Sequence, residues 1–309
     1  MKTVNLFLVA ALAGAAAINP AKADGGDENR QVIYIESAKY TLPLVEKWIT
    51  EYNRTNPDVQ VKQAGKDAKT VDLRIVANAE ADNTGEDGKA ITYVGRSALL
   101  PVTAKDNPLH EQISRRKFGK KELKKLFFSD DLFEEENDKK DPLQEQLTVY
   151  SGNSTTSVAP FFALHFGQTI AGFRGKKILG DDIYLLQAIS RDSTGVTFNN
   201  LSYIYDLKDR QLKDEIALLP LNVKKDQFEI IRSENLDETL SLLENEKVEL
   251  VPVHHIGFAY DEQPGTKDFL KWILTEGQKF NHEFGFLQLD EKTLSYQKKY
   301  FGGNLLTTK

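Results

Sequence analysis

Residues 31–61 read QVIYIESAKYTLPLVEKWITEYNRTNPDVQV. The β-branched and aromatic run 32–35 predicts a strand. A turn-like stretch, 37–43, then opens a helix. Leu42, Val45, Trp48, Ile49 and Tyr52 recur at spacings of 3, 3, 1 and 3, which places them on one helical face. Asn56-Pro57 ends that helix, because the residue before a proline avoids helical torsions. Residues 59–61 and 71–76 read as further strands, so the chain opens strand, helix, strand, strand. Outward from there, β-type runs at 91–102, 147–150, 195–205, 216–220 and 250–253 alternate with helical patterns. The helices fall at 120–128, 158–168, 180–191, around Leu236, Leu240 and Leu243, and after Thr266, which reads as a cap for Phe269, Trp272 and Ile273. This alternation predicts an α/β protein with mostly parallel or mixed sheets.

Composition narrows the function classes. The chain has 309 residues, a net charge of −6, 40% hydrophobic residues, 17 Phe, 11 Tyr, 2 Trp and no Cys. Zero Cys excludes disulfides, Cys-ligated metal and a thiol nucleophile. The acidic balance argues against a nucleic-acid partner held by phosphate contacts. Residues 1–23 read as a secretory signal: Lys2, an apolar stretch, then Ala21-Lys22-Ala23 before Asp24. Its apolar run is shorter than the roughly 20 residues of a membrane span. Cleavage would remove two Lys and leave 286 residues at −8. The expected product is a periplasmic, monomeric chain with a polar tether at 24–31.

Two stretches share one design. Residues 37–41 and 151–157 (SGNSTTS) are polar loops that follow a strand and run into a helix start. Helix N-termini carry unpaired N–H groups and partial positive charge, so such loops suit an anion. Ordinary N-capping by Ser and Thr is the commoner use of the same pattern.

Beyond spacing, the chain resembles a family. Residues 38–56 (AKYTLPLVEKWITEYNRTN), followed by Val71-Asp72-Leu73, are similar to the opening of the PstS-like phosphate-binding proteins of ABC importers. Residues 151–157 resemble that family's Ser-Gly-Thr loop. Residues 94–109 (VGRSALLPVTAKDNPL) resemble its hinge-crossing strand, and 269–289 (FLKWILTEGQKFNHEFGFLQL) its C-terminal helix. The resemblance covers nearly the whole chain after residue 23. It implies a two-lobed type II periplasmic binding protein fold, with a central mixed sheet in each lobe and two hinge crossovers. Lobe 1 would comprise 32–97 plus 255–309, and lobe 2 would comprise 98–254. A phosphate-like anion would be held between them and delivered to an inner-membrane ABC permease, with no cofactor and no turnover.

The expected ligand-binding residues are Ser37, Lys39 and Tyr40 from the first lobe and Tyr150, Ser154, Thr155 and Thr156 from the second; the resemblance places the family's first-lobe hydroxyl and backbone N–H on Lys39 and Tyr40 and its Ser-Gly-Thr on Ser154, Thr155 and Thr156. Three positions depart from the family. Its second loop is shortened at 63–70, its anion-contacting Asp falls near Ala77, and its guanidinium falls near Tyr150. An Arg fork matches phosphate oxygens geometrically, so its loss predicts changed selectivity, with Lys39 restoring charge only as a point. The rival expectation is a sensory or protein-docking module that has lost the ligand. A hydrolase lacks support, since no nucleophile is paired with a base and no metal motif appears. His254 and His255, adjacent in a strand, point to opposite faces and suit structural or cleft-lining roles. Asp181-Asp182 reads as negative charge at a helix start.

Overall fold

A computed structural model describes residues 31–65, 68, 70–78, 89–129, 141–153 and 157–301. The expected signal, most of the expected tether and residues 130–140 lie outside these residues. In chain order the elements are β1 (Gln31–Glu36), α1 (Leu42–Thr55), β2 (Val59–Gln63), β3 (Leu73–Asn78), β4 (Ala90–Ala104), α2 (His110–Ser114), α3 (Lys120–Phe127) and α4 (Pro142–Gln146). Then follow β5 (Thr148–Gly152), α5 (Ala159–His165), β6 (Lys176–Ile178), α6 (Ile183–Arg191), β7 (Gly195–Asn200), α7 (Leu201–Ile204) and β8 (Ile216–Leu218). The chain closes with α8 (Lys225–Arg232), α9 (Leu236–Asn245), β9 (Val253–Tyr260), α10 (Pro264–Thr275) and α11 (Glu291–Phe301).

The strands form one curled mixed sheet in the order β2-β1-β3-β9-β4-β7-β5-β6, with β8 also on β4. β1 runs parallel to β2 and β3, and β5 runs parallel to β6 and β7. β4 is the joint. Its first half pairs antiparallel with β9 and its second half with β7 and β8. The partner changes at Ala98 and Leu99, where Leu99 N–H donates to the Pro252 carbonyl at 3.0 Å. The β-bulge of the β4–β9 ladder, between Tyr93 and Gly95, is closed by the C-terminal segment. Gln278 Nε2 and Asn281 Nδ2 donate to the Val94 carbonyl at 2.7 and 3.2 Å.

Two hydrophobic clusters sit on either side of this joint. One gathers Ile33, Ile35, Leu44, Trp48, Leu73, Phe258, Phe269 and Ile273 around the first half of β4. The other gathers Leu99, Val102, Phe127, Phe162, Phe198, Leu240 and Val251 around its second half. Asp72 ties β3 to β1 by accepting from Tyr34 N–H at 2.8 Å.

Local readings differ from the structure in three places. The run 195–205 breaks at Asn200, where extended torsions let the residue precede the short helix α7. The last crossover strand is β9, starting at Val253 and not at Leu250, because Val251-Pro252 forms the bend that leads into it. Thr266 lies inside α10; its hydroxyl donates back to the Gln263 carbonyl at 2.8 Å and accepts from Gln263 N–H at 3.3 Å.

α1 is fixed by Trp48, which is fully buried and donates from Nε1 to the Gly277 carbonyl at 3.0 Å. Trp48→Phe removes that donor and leaves a buried carbonyl and a void. The expected loss is about 2–4 kcal/mol of unfolding free energy in urea titration. A change below ~0.5 kcal/mol would show that Trp48 does not anchor the helix.

Candidate functional site

The turn after β1 is built by its own backbone. Thr41 N–H and Leu42 N–H donate to the Ala38 carbonyl at 3.1 and 3.0 Å, and Thr41 Oγ1 donates to the same oxygen at 2.9 Å. Thr41 therefore spends its hydroxyl on the turn instead of capping α1. Ser37 Oγ accepts from Gln63 Nε2 at 2.7 Å, tying it to the end of β2. Lys39 is exposed, and its Nζ lies 5.7 Å from the centroid of the Tyr184 ring. Tyr40 is buried with its ring 6.0 Å from that of Phe286. Its hydroxyl is held far above the ordinary tyrosine range, first by burial and then by the charge of Asp182. Lys39 thus lies near Tyr184 in the first turn of α6, and Tyr40 feels the charge of Asp182 at its start.

The second loop follows β5. Ser154, Thr155 and Thr156 lie outside the described residues. The residues that follow them are engaged: Ala159 N–H donates to Ser157 Oγ at 3.2 Å, and Val158 N–H donates to Asp182 Oδ2 at 3.0 Å. The anion at this helix start is the protein's own carboxylate. Gly152 makes the packing possible, since a Cβ there would lie 2.5 Å from Ser157 Oγ and 3.5 Å from Asp182 Oδ1. Tyr150, at the family's guanidinium position, donates from its hydroxyl to Asp192 Oδ2 at 2.8 Å and accepts from Lys176 Nζ at 3.1 Å. The structure joins its hydroxyl to that surface pair and not to Tyr40.

Asp182 is the residue that spacing alone did not single out. It is 6% exposed. Asn199 Nδ2 donates to its backbone carbonyl at 2.6 Å, while its Oδ1 has no hydrogen-bond partner among the described residues. Burial pushes its carboxyl up to about 7; the Val158 N–H opposes the shift and the neighbouring Asp181 adds to it. Asp181 itself accepts from the Tyr203 hydroxyl and from Ile183 N–H, both at 2.9 Å. The only sequence signal is the Asp-Asp pair, which reads as helix-start charge.

His254 lies on the floor of the joint. It is 1% exposed, and its ring stacks on Phe161 at 4.2 Å with 6° between planes. Neither ring nitrogen has a partner among the described residues. Burial, then the adjacent His255, pushes the imidazole down to about 3. Its register partner on β4 is Ser97, whose hydroxyl donates to Asn200 Oδ1 at 2.7 Å. Elsewhere, a groove lined by Glu262, Pro264, Lys267 and Tyr300 sits at the start of α10, remote from these groups in the fold, and its Lys267 and Glu262 pair with each other at 2.6 Å. Among the described residues no cluster of three His, Asp or Glu forms a metal site.

Asp182 and His254 link stability to pH in opposite directions. Asp182, raised from 3.8 to about 7, contributes stability that is complete below 3.8 and lost as pH rises through 7. His254, lowered from 6.5 to about 3, contributes stability that is complete above 6.5 and lost as pH falls through 3. Between about pH 4 and 6.5 the two proton linkages offset each other. Asp182→Asn should therefore make the slope of stability against pH more positive in that window, by about 1.4 kcal/mol per pH unit. His254→Phe should shift it by a similar amount the other way. Urea titrations at three pH values across the window measure both; slopes parallel to wild type in the two variants would refute this account.

No protein-family model matches the chain. No curated protein matches it either. Solved structures do. An ABC-type phosphate transport receptor from Vibrio cholerae superposes with a TM-score of 0.55 at 10% identity, over 84% of this chain and 100% of that one. A putative phosphate ABC transporter substrate-binding protein from Clostridium perfringens, with bound phosphate, gives 0.57 at 14% identity, over 84% and 100%. A possible phosphate-binding protein from Planctomyces limnophilus gives 0.50 at 14% identity, over 90% and 99%. At these identities the likeness speaks for the fold: a mixed α/β chain with the type II periplasmic binding protein architecture.

Proposed function

We propose that this chain is a periplasmic solute-binding protein that captures a small acidic solute, an oxyanion such as phosphate or a group like it, and delivers it to an inner-membrane ABC permease. The action is capture, not turnover. The observation that carries the reading is the meeting of Lys39 and Tyr40 with Tyr184 and Asp182 across the joint where β4 changes partners. In this reading the two hydrophobic clusters are the cores of two lobes, and β4 and β9 are the hinge strands between them. Ser37, Lys39 and Tyr40 act from the first lobe. Ser154, Thr155 and Thr156 act from the second, with Tyr150 behind them. Among the described residues no helix is long and apolar enough to cross a membrane, which accords with an exported chain.

The phosphate-type anion is the first ligand to test, but the electrostatics are altered. Lys39 offers positive charge without a carboxylate partner among the described residues. Asp182 opposes a fully ionised anion and opposes it less once protonated. Affinity should therefore rise several-fold as pH falls from 8 to 6, and Asp182→Asn should flatten that dependence. Lys39→Ala should weaken binding about tenfold, the scale of one charge-assisted contact.

One observation favours the rival, a docking or sensory module: the start of α5 is already satisfied by Asp182 and Ser157. Isothermal titration with phosphate, sulfate, molybdate, glycolate and glycerol 3-phosphate separates the two. Heat from at least one, reduced in the Lys39 variant, is the expected result. No heat from any of them, with small-angle scattering unchanged throughout, would transfer the chain to the docking reading.

A further inference from the structure

Consecutive residues Phe286 and Leu287, both fully buried, belong to different hydrophobic clusters. Phe286 joins the cluster of Trp48 and Phe269, and Leu287 joins that of Leu99 and Leu240. The segment 281–288 is thus a third stretch of chain, besides β4 and β9, that takes part in both. On one side it is bonded to the first half of β4. Arg96 N–H donates to the Leu287 carbonyl at 3.0 Å and Leu287 N–H to the Arg96 carbonyl at 2.9 Å. Arg96 Nε donates to the Gln288 carbonyl at 2.8 Å, and buried Asn281 donates to the carbonyls of Val94 and Leu287, both at 3.2 Å. On the other side it is held by elements of the second cluster. Glu244 Oε1, on α9, accepts from His282 Nε2 at 2.8 Å and from Gln288 N–H at 2.6 Å. Arg210, in the loop after α7, donates to the carbonyls of His282 at 2.8 Å and Glu283 at 3.3 Å, and its Nε donates to Asp237 of α9 at 3.1 Å. Gly285, at φ +75°, packs close against α7: a Cβ there would lie 3.1 Å from the Ser202 backbone.

The two sets of bonds differ in what breaks them. Those to β4 are ladder bonds and bonds from a buried amide, so the segment travels with the first half of that strand. α9 buries Leu236, Leu240 and Leu243 in the second cluster, so any rotation of one cluster against the other moves α9 relative to the segment. Bonds of this kind hold only over about 2.7–3.2 Å, so a shift of under about an ångström undoes the Glu244 pair. One carboxylate oxygen therefore carries two donors from the same segment and concentrates the tie at one atom. Burial raises the Glu244 carboxyl, but the bonds from His282 and Gln288 outweigh it and hold the group below the ordinary glutamate range. The tie is therefore charge-assisted. Arg210 adds a second sign of purpose. Its φ is +61°, a left-handed torsion uncommon outside glycine, so its placement against the segment has a backbone cost.

We infer that residues 281–288 are a strap across the hinge and that Glu244, with Arg210, is its clasp. Fastened, it holds the lobes in the arrangement where Lys39 lies near Tyr184; released, it lets them swing apart. This rests on the two-lobed reading above and adds the device that sets the lobe angle. Such a clasp fixes the population of the swung-apart state, so residues outside the loops at 37–41 and 151–157 govern how readily the lobes open.

The chain has no Cys, so one pair of spin labels can be placed at Glu46→Cys on α1 and Gln187→Cys on α6, an exposed position on each side. Double electron–electron resonance, with no solute added, reads their separation in the labelled parent and in the same chain carrying Glu244→Leu or Arg210→Asn. The expected result is one narrow separation in the parent. Each variant should add a second, longer separation held by about a tenth or more of the molecules. Asparagine tolerates the left-handed torsion at position 210, so if Glu244→Leu fails to fold, Arg210→Asn decides alone. A parent already spread over two separations, or folded variants that match the parent, would overturn the clasp. Because no solute is present, that result leaves the capture reading to the titrations above. Absence of heat from every anion there would remove capture and leave the clasp to be judged on the separations alone.

Discussion

The exchange of partners along β4 is the constraint on which the rest of the molecule depends. A single strand of 15 residues serves two sets of neighbours, β9 in its first half and β7 with β8 in its second. Where one ladder stops and the other starts, strand ends must meet. Strand ends carry backbone groups and polar side chains that no ladder satisfies. That is why Asn200 at the end of β7, His254 at the start of β9 and Ser97 on β4 share one place in an otherwise apolar interior. The general tendency of open α/β sheets to bind ligands where strand order changes has this physical root.

The joint also decides how charge is used. The chain is acidic overall, at −6, yet it buries a carboxylate beside it. Asp182 is tolerable because Val158 N–H supplies one bond and because its proton is retained up to about pH 7. His254, buried on β9, stays neutral, with its proton excluded down to about pH 3. Near neutrality the pair therefore adds little net charge to the interior. The adjacent tyrosines follow the same rule: Tyr40 and Tyr203 are held un-ionised by burial, and Tyr203 donates to Asp181. Positive charge is kept at the edge, on exposed Lys39, where solvation costs least.

Much of the architecture was legible because it rests on local rules. The Leu42 to Tyr52 stripe, the Asn56-Pro57 stop and the runs at 32–35 and 59–61 each match an element within two residues. The errors arose where tertiary context overrode local pattern. Residues 195–205 are apolar and aromatic enough for one strand, but the chain must leave the sheet at Asn200 to pass the joint. The crossover strand β9 carries two histidines and a glycine, a weaker β signature than Leu250-Val251, which precedes it in the bend. The site was harder still. Lys39 and Tyr40 were named through family resemblance, and the structure sets Lys39 near the Tyr184 ring of α6. Asp182, Asn200 and His254 come from three elements far apart in sequence, and no spacing rule connects them. Sheet order brings Asn200 and His254 together through Ser97, and a tertiary contact joins Asp182 to the start of α5.

Asp182 also bears on what kind of divergence this chain represents. In a site built solely to donate hydrogen bonds, a carboxylate at the start of α5 would be a defect, since it takes the N–H a bound anion would use. Here the surroundings accommodate it. Ser157 takes the next N–H, Gly152 leaves room for Ser157, and Asn199 holds the Asp182 backbone. A defect tolerated by chance would not need three separate adjustments in β5, α5 and β7. Together with the phenol at position 150, whose hydroxyl is turned to Asp192 and Lys176, these adjustments describe a helix start organised around an internal acid. A site of that kind gives up some attraction for any anion. On the proposed capture reading, such a group would distinguish solutes able to donate a hydrogen bond from those that cannot, a discrimination an Arg fork does not provide.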